Sequence, residues 1–131
     1  MESSLYRSSN RLPTLTYYDK ETTHSIWRCS QPNSTGIPPL FRHKRSIFDE
    51  NILKYIGLCS LDELNKNGLV MIYDSRPWKN AEANRLKGGG YENVGESGYY
   101  KNCKLKFCDI ENIHEVKKSY DKMCALAYSF E

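Results

Sequence analysis

The chain has 131 residues, 39% of them hydrophobic and 27% charged, and 19 basic against 16 acidic side chains leave a net charge of only +3. That mixture excludes a polybasic tail and an acidic solvating segment. No apolar run approaches the roughly 20 residues of a bilayer span: the longest are Leu69 to Tyr73 and Met123 to Tyr128. The opening MESSLYRSSNR has no apolar h-region of a secretory signal, so a cytoplasmic globular protein is expected.

In chain order, residues 1–10 are polar and serine-rich and are expected to be frayed. Leu12 to Tyr18 and Thr22 to Cys29, joined by Asp19-Lys20-Glu21, read as a hairpin. A Pro-, Asn-, Ser- and Gly-containing loop, Pro32 to Pro39, runs into the basic cluster Arg42 to Arg45. Ser46 is placed as a helix N-cap, with Asp49 and Glu50 in the dipole-favoured first turn and Phe48, Ile52, Tyr55 and Ile56 on one face. Ser60 caps a second short helix, Leu61 to Asn67, ended by Gly68.

Leu69 to Tyr73 is an unbroken apolar run closed by Asp74, the pattern of a strand covered on both faces. Pro77 stops it, Trp78 to Lys87 reads as a short helix, and Gly88-Gly89-Gly90 ends that helix. Lys104 to Cys108 alternates as a strand. The final helix carries Ile113, Val116, Tyr120, Met123, Ala127 and Phe130 as one amphipathic stripe. Strand, helix, strand, helix predicts an α/β crossover, and about thirty residues between the strands suffice for a right-handed parallel connection.

Ligands of open α/β sheets gather beyond the carboxyl ends of the strands. Here those ends lead into Asp74-Ser75-Arg76-Pro77 and Asp109 to His114. Parallel strands would put both loops on one sheet edge, making Asn84, Asn112 and His114 candidates for a phosphate or polyol site. Amide and imidazole donors suit such a ligand. Each has a plainer reading: Asn112 as the N-cap of the last helix, His114 as a structural histidine, Asn84 as a solvated or packing residue, and Asp74 with Arg76 as a local ion pair. Gly88 to Gly90 matches no phosphate-loop pattern, and the Asn33-Ser34-Thr35 sequon reads as chance. The five cysteines are odd in number with no CxxC spacing, and the three histidines complete no zinc pattern, so no metal or cofactor is expected. Net charge +3 with one basic cluster and no stacking motif argues against nucleic acid as a partner.

Five ordered blocks go further than spacing. Arg11-Leu12-Pro13 and Arg28-Cys29-Ser30-Gln31-Pro32 resemble the RxPVxxW and RxSQP blocks of the myotubularin family. Asp74 to Pro77, Asn80-Ala81-Glu82-Ala83-Asn84 and Gly88 to Asn93 resemble its D-[AS]-R-P, N-A-x-A-N and G-G-G-Y-E block. Tyr100-Lys101-Asn102 and Ile110 to His114 continue in family order. The resemblance implies an α/β fold with a partial central sheet and flanking helices, an incomplete portion of a cysteine-dependent phosphatase domain over residues 11–131. It also implies an enzyme that removes the 3-phosphate of phosphatidylinositol 3-phosphate and the 3,5-bisphosphate, peripheral to endosomal membranes. Asn84, Asn112 and Ile113 match positions that contact the phosphoinositide headgroup, with His114 adjacent. Arg76 and the glycine block match residues whose role is read as structural.

The departure concerns the nucleophile. The family's Cys-x5-Arg loop supplies the attacking thiolate and an arginine for the phosphoryl charge. Six residues after the five cysteines stand Thr35, Asn65, Asp109, His114 and Phe130, none of them arginine. In family order that loop follows the block at Asn112 to His114. The chain is therefore expected to be an amino-terminal portion of the domain, without the nucleophile or the membrane-binding domain that usually precedes it, and inactive alone. The alternative is a non-catalytic interaction or regulatory module that pairs with a full-length relative through open sheet edges.

Overall fold

A computed structural model describes residues 5–33, 45–59 and 67–129. The helix expected over Leu61 to Asn67 (all but Asn67 itself), its Ser60 cap, the loop from Ser34 and the basic residues Arg42 to Lys44 lie outside these residues. Among the described residues the order is a 3-10 turn (Ser8–Asn10), β1 (Thr14–Tyr18), β2 (Ser25–Arg28), α1 (Ile47–Leu58), β3 (Val70–Asp74), α2 (Trp78–Leu86), β4 (Cys103–Phe107) and α3 (Ile113–Tyr128). β1 and β2 form an antiparallel hairpin, and β3 and β4 a separate parallel pair joined through α2. The chain is mixed α/β with a partial sheet, as its pattern predicted.

The hairpin turn forms because the Asp19 carboxylate accepts from the Glu21 N–H (3.0 Å) and the Thr22 hydroxyl (2.5 Å), closing an Asx-type turn. β1 and β2 are mostly exposed on both faces. Burial is concentrated in a core of Tyr6, Leu53, Tyr100 and Cys103, against which Ile56, Val70, Ile72, Val94 and Tyr99 pack.

The expectation of fraying over residues 1–10 does not hold for Tyr6 and Arg7, which are buried. The segment after β2 pairs with them: Ser8 N–H donates to Gln31 O (2.9 Å) and Asn33 N–H to Tyr6 O (2.8 Å). The fully buried Arg7 guanidinium reaches Asp49 through Nε–Oδ1 (2.9 Å) and Nη2–Oδ2 (2.6 Å), Ser30 O through Nη1 (2.9 Å), and Glu92. Tyr100 Oη donates to Asp49 Oδ2 at 2.7 Å. Burial alone would lower the Arg7 pKa, but the Asp49 hydrogen bonds and the Glu92 and Asp49 charges outweigh it and raise it.

That pairing turns α1 in part from its expected face, of which Ile52 and Ile56 remain half-buried, Ile56 against the core. Ser46 caps the helix as foreseen, its hydroxyl accepting from the Asp49 N–H at 3.3 Å. The buried side is Asp49, Leu53 and Gly57, whereas Phe48 and Tyr55 are 56% and 64% exposed. Asp49 is drawn inward by Arg7, and Gly57 packs on Gly68, whose oxygen would lie 1.9 Å from a Cβ at position 57.

β3 is covered on one face only, correcting the expectation of two. Val70, Ile72 and Asp74 are half-buried, but Met71 and Tyr73 are exposed beside Lys104 and Lys106 of β4 in register. The amphipathic stripe of α3 is equally uncovered; none of its residues is buried and Ile113 is 77% exposed. Its side-chain period forms a helix, but no described element lies against it.

Removing Arg7 strands two buried carboxylates. Arg7→Met is expected to lose about 3–5 kcal/mol and Tyr100→Phe about 1.5–3 kcal/mol, read by urea unfolding; a loss under about 1 kcal/mol for both would contradict the network's role. Stability should also fall in alkali. Burial, then Glu92, pushes the Cys103 thiol from 9.0 up to about 12, and burial, then Asp49, raises the Tyr100 hydroxyl from 10.0. The folded chain keeps protons that the unfolded chain releases. Their contribution is therefore complete below about pH 9 and is lost above it, by up to about 1.4 kcal/mol per pH unit per group. Urea midpoints compared at neutral pH and near pH 10 check the sign.

Candidate functional site

The parallel register of β3 and β4 brings the ends of both strands to one edge of the sheet, as the crossover predicted. The loops beyond are then fastened together: Cys108 N–H donates to Asp74 O at 2.8 Å and Ile110 N–H to Ser75 O at 2.9 Å. Asp109 turns the chain with φ +53, a left-handed conformation that Asp tolerates better than most residues. Asn112 caps α3, its Oδ1 accepting from the His114 (2.9 Å) and Glu115 (3.4 Å) N–H groups, which fulfils the capping alternative. Ile113 and His114 sit exposed in the first turn of α3.

Beside β3 lies a cavity of about 360 Å³ lined by Cys29, Gln31, Asp74, Arg76, Asn84 and Glu92, among others. Arg76 binds Asp74 through Nε–Oδ1 (2.9 Å) and Nη2–Oδ2 (2.5 Å), and also reaches Gly90 O (2.9 Å) and Gln31 Oε1. Its charge is spent within the protein, which fits the local ion-pair reading. Glu92 is likewise held by Arg7. The half-buried Asn84 differs: among the described residues its amide makes no hydrogen bond, while its backbone oxygen accepts from Lys87 (3.0 Å) and Gly89 (2.9 Å). The cavity thus offers a free amide beside paired charges and the exposed Arg11, a place to bind a polar group.

Among the described residues no poised thiolate lines it. Partial desolvation raises the thiol of Cys29, a residue exposed at the surface, despite the nearby Arg7 cation, and burial raises Cys103 further, whereas an attacking thiol needs the opposite shift. The sequence candidates divide: Asn84 lines the cavity, whereas Asn112, Ile113 and His114 stand on the fastened neighbouring loop and do not line it. Gln31, Arg7 and Glu92 were not identified by spacing. Gln31 lies in the block Arg28 to Pro32, whereas nothing local marks Arg7, whose partners are 42 and 85 residues away.

Residues 1–130 match the family model described as the myotubularin-like phosphatase domain. Phosphatidylinositol-3,5-bisphosphate 3-phosphatase MTMR2 of Gallus gallus is 38% identical over 123 residues, 94% of this chain and 19% of its own length. Myotubularin of Rattus norvegicus is 40% identical over 124 residues, 94% of this chain and 18% of its own. Phosphatidylinositol-3,5-bisphosphate 3-phosphatase MTMR6 of Homo sapiens is 40% identical over 121 residues, covering 92% and 17%. The chain therefore spans less than a fifth of the length of these relatives.

Asn112→Ala removes the cap oxygen and is expected to cost about 1 kcal/mol and fray α3, whereas Asn112→Ser retains an acceptor and most of the helix. Far-ultraviolet circular dichroism of the two variants checks this; equal helix loss would mean that the cap bond does not hold α3.

Proposed function

The chain belongs to the myotubularin-like phosphatase domain family, and from that premise we propose that it forms the amino-terminal part of a phosphoinositide 3-phosphatase domain. The complete domain removes the 3-phosphate of phosphatidylinositol 3-phosphate and phosphatidylinositol 3,5-bisphosphate. The observation that supports this reading at the site is the Ile110–Ser75 hydrogen bond (2.9 Å), which ties the loop leading to Asn112, the cap of α3, to the loop that leads into α2, the helix carrying Asn84. Asn84 offers a free amide beside the sheet edge, and Asn112, Ile113 and His114 present the start of α3, where the helix dipole favours an anion and the His114 and Glu115 N–H groups are taken by the Asn112 cap.

This machinery binds and orients; it does not attack phosphorus. Cleavage of the P–O bond needs a thiolate in line with the leaving oxygen and donors for the equatorial oxygens. With no Cys-x5-Arg in the sequence and with Cys29 and Cys103 held as thiols, these residues supply the recognition half of the reaction. The remaining portion of the domain supplies the nucleophile. The complete enzyme works at the cytoplasmic surface of endosomal membranes as a peripheral protein. Among the described residues no helix is long and apolar enough to cross a membrane.

A second reading is favoured by the uncovered faces of β3 and α3: a non-catalytic module that pairs with a full-length family member and regulates it. Replacing the matching segment of Rattus norvegicus myotubularin with this chain separates the readings. The substituted enzyme is expected to hydrolyse phosphatidylinositol 3-phosphate, the isolated chain to release no phosphate, and Asn112→Ser in the substituted enzyme to lower turnover while sparing the helix. A folded but inactive substitution, with the isolated chain instead altering the activity of intact myotubularin, would favour the regulatory module.

A further inference from the structure

Three stretches of the chain meet at Arg76. Its guanidinium holds Asp74 at the end of β3, the carbonyl of Gly90 (2.9 Å) and the side-chain oxygen of Gln31, which follows β2. Gln31 is itself fixed, because its backbone oxygen accepts from the Ser8 N–H at 2.9 Å. Its amide lies flat on Gly89: a Cβ at that position would stand 2.7 Å from Gln31 Nε2 and 3.0 Å from Oε1. Gly89 in turn donates its N–H to the backbone oxygen of Asn84 at 2.9 Å. The path from Gln31 through Gly89 therefore has a defined contact at every step and ends on the backbone of Asn84, whose side-chain amide is left unbonded among the described residues.

We propose that Gln31 is a positioning residue for Asn84: clamped by Arg76, it presses on the glycine turn after α2 and holds the Asn84 amide toward the cavity. The inference rests on the reading of Asn84 as a headgroup contact. Arg76 does not take this role itself: its guanidinium bonds the Gly90 carbonyl, whereas the Gln31 amide is the group that meets Gly89. Small displacements matter, because a hydrogen bond to a phosphate or hydroxyl weakens steeply once its angle is lost, and positioning errors near 1 Å are costly to an oriented ligand.

The test uses the full chain in place of the matching segment of Rattus norvegicus myotubularin, with phosphatidylinositol 3-phosphate vesicles as substrate. Asn84→Ala is expected to raise KM about fivefold with kcat changed less than about twofold, the signature of lost ground-state binding. Gln31→Ala should do the same, Gln31→Glu should restore KM because it keeps an acceptor for Arg76, and the double variant should be no worse than Asn84→Ala alone. Gly89→Ala, which pushes the Gln31 side chain away, should repeat the KM rise if Gln31→Ala does not fold. Unchanged KM in Gln31→Ala, or effects that multiply in the double variant, would overturn the positioning role while leaving Asn84 in place. Unchanged KM in Asn84→Ala itself would instead overturn the headgroup reading.

Discussion

The buried guanidinium of Arg7 is the interaction on which the arrangement depends. Taking such a cation out of water costs several kcal/mol, and it is tolerated only where fixed partners surround it. Here those partners come from four places: Asp49 on α1, Ser30 after β2, Glu92 after the glycine turn and, through Asp49, Tyr100 just before β4. A small core of Tyr6, Leu53, Tyr100 and Cys103 could not by itself define the mutual positions of these segments. Directional bonds to a single charged hub do so, since each segment must satisfy the same rigid fork of donors. The hub also explains the turned face of α1, where a carboxylate occupies the place that helical periodicity assigns to an apolar side chain.

From that hub the order propagates to the sheet edge. Ser30 and Gln31 are neighbours, so the strand exit that serves Arg7 also delivers Gln31 to Arg76. Glu92 and Gly90 are two residues apart, so the same turn serves both arginines. Two buried or half-buried arginines, each neutralised by its own carboxylates, thus brace the cavity from behind and beside. What they leave uncommitted on the cavity lining includes the Asn84 amide and the exposed Arg11 side chain.

The uncovered surfaces fit a chain that covers less than a fifth of its relatives' length. Parallel strands are ordinarily covered on both faces, yet Met71 and Tyr73 are exposed, as is the stripe of α3. These residues follow their pattern faithfully; it is the opposing layer that the described residues do not provide. Periodicity reports which face a residue prefers to bury and is silent on what buries it.

Local chemistry made much of the molecule legible. The Asp19 turn, the Ser46 and Asn112 caps, the apolar run of β3 and the period of α3 are short-range effects, and each element formed where its residues placed it. The parallel edge that unites the loops at Asp74 and Asp109 followed from element order and connection length. The ordered motif blocks pointed to the family and to Asn84, Asn112, Ile113 and His114. Tertiary structure alone decided that Tyr6 and Arg7 are interior, that Asp49 faces inward, and that Gln31 packs on Gly89. Those contacts join residues tens of positions apart through charge and hydrogen bonding, which have no sequence period, so only the folded chain brings them together.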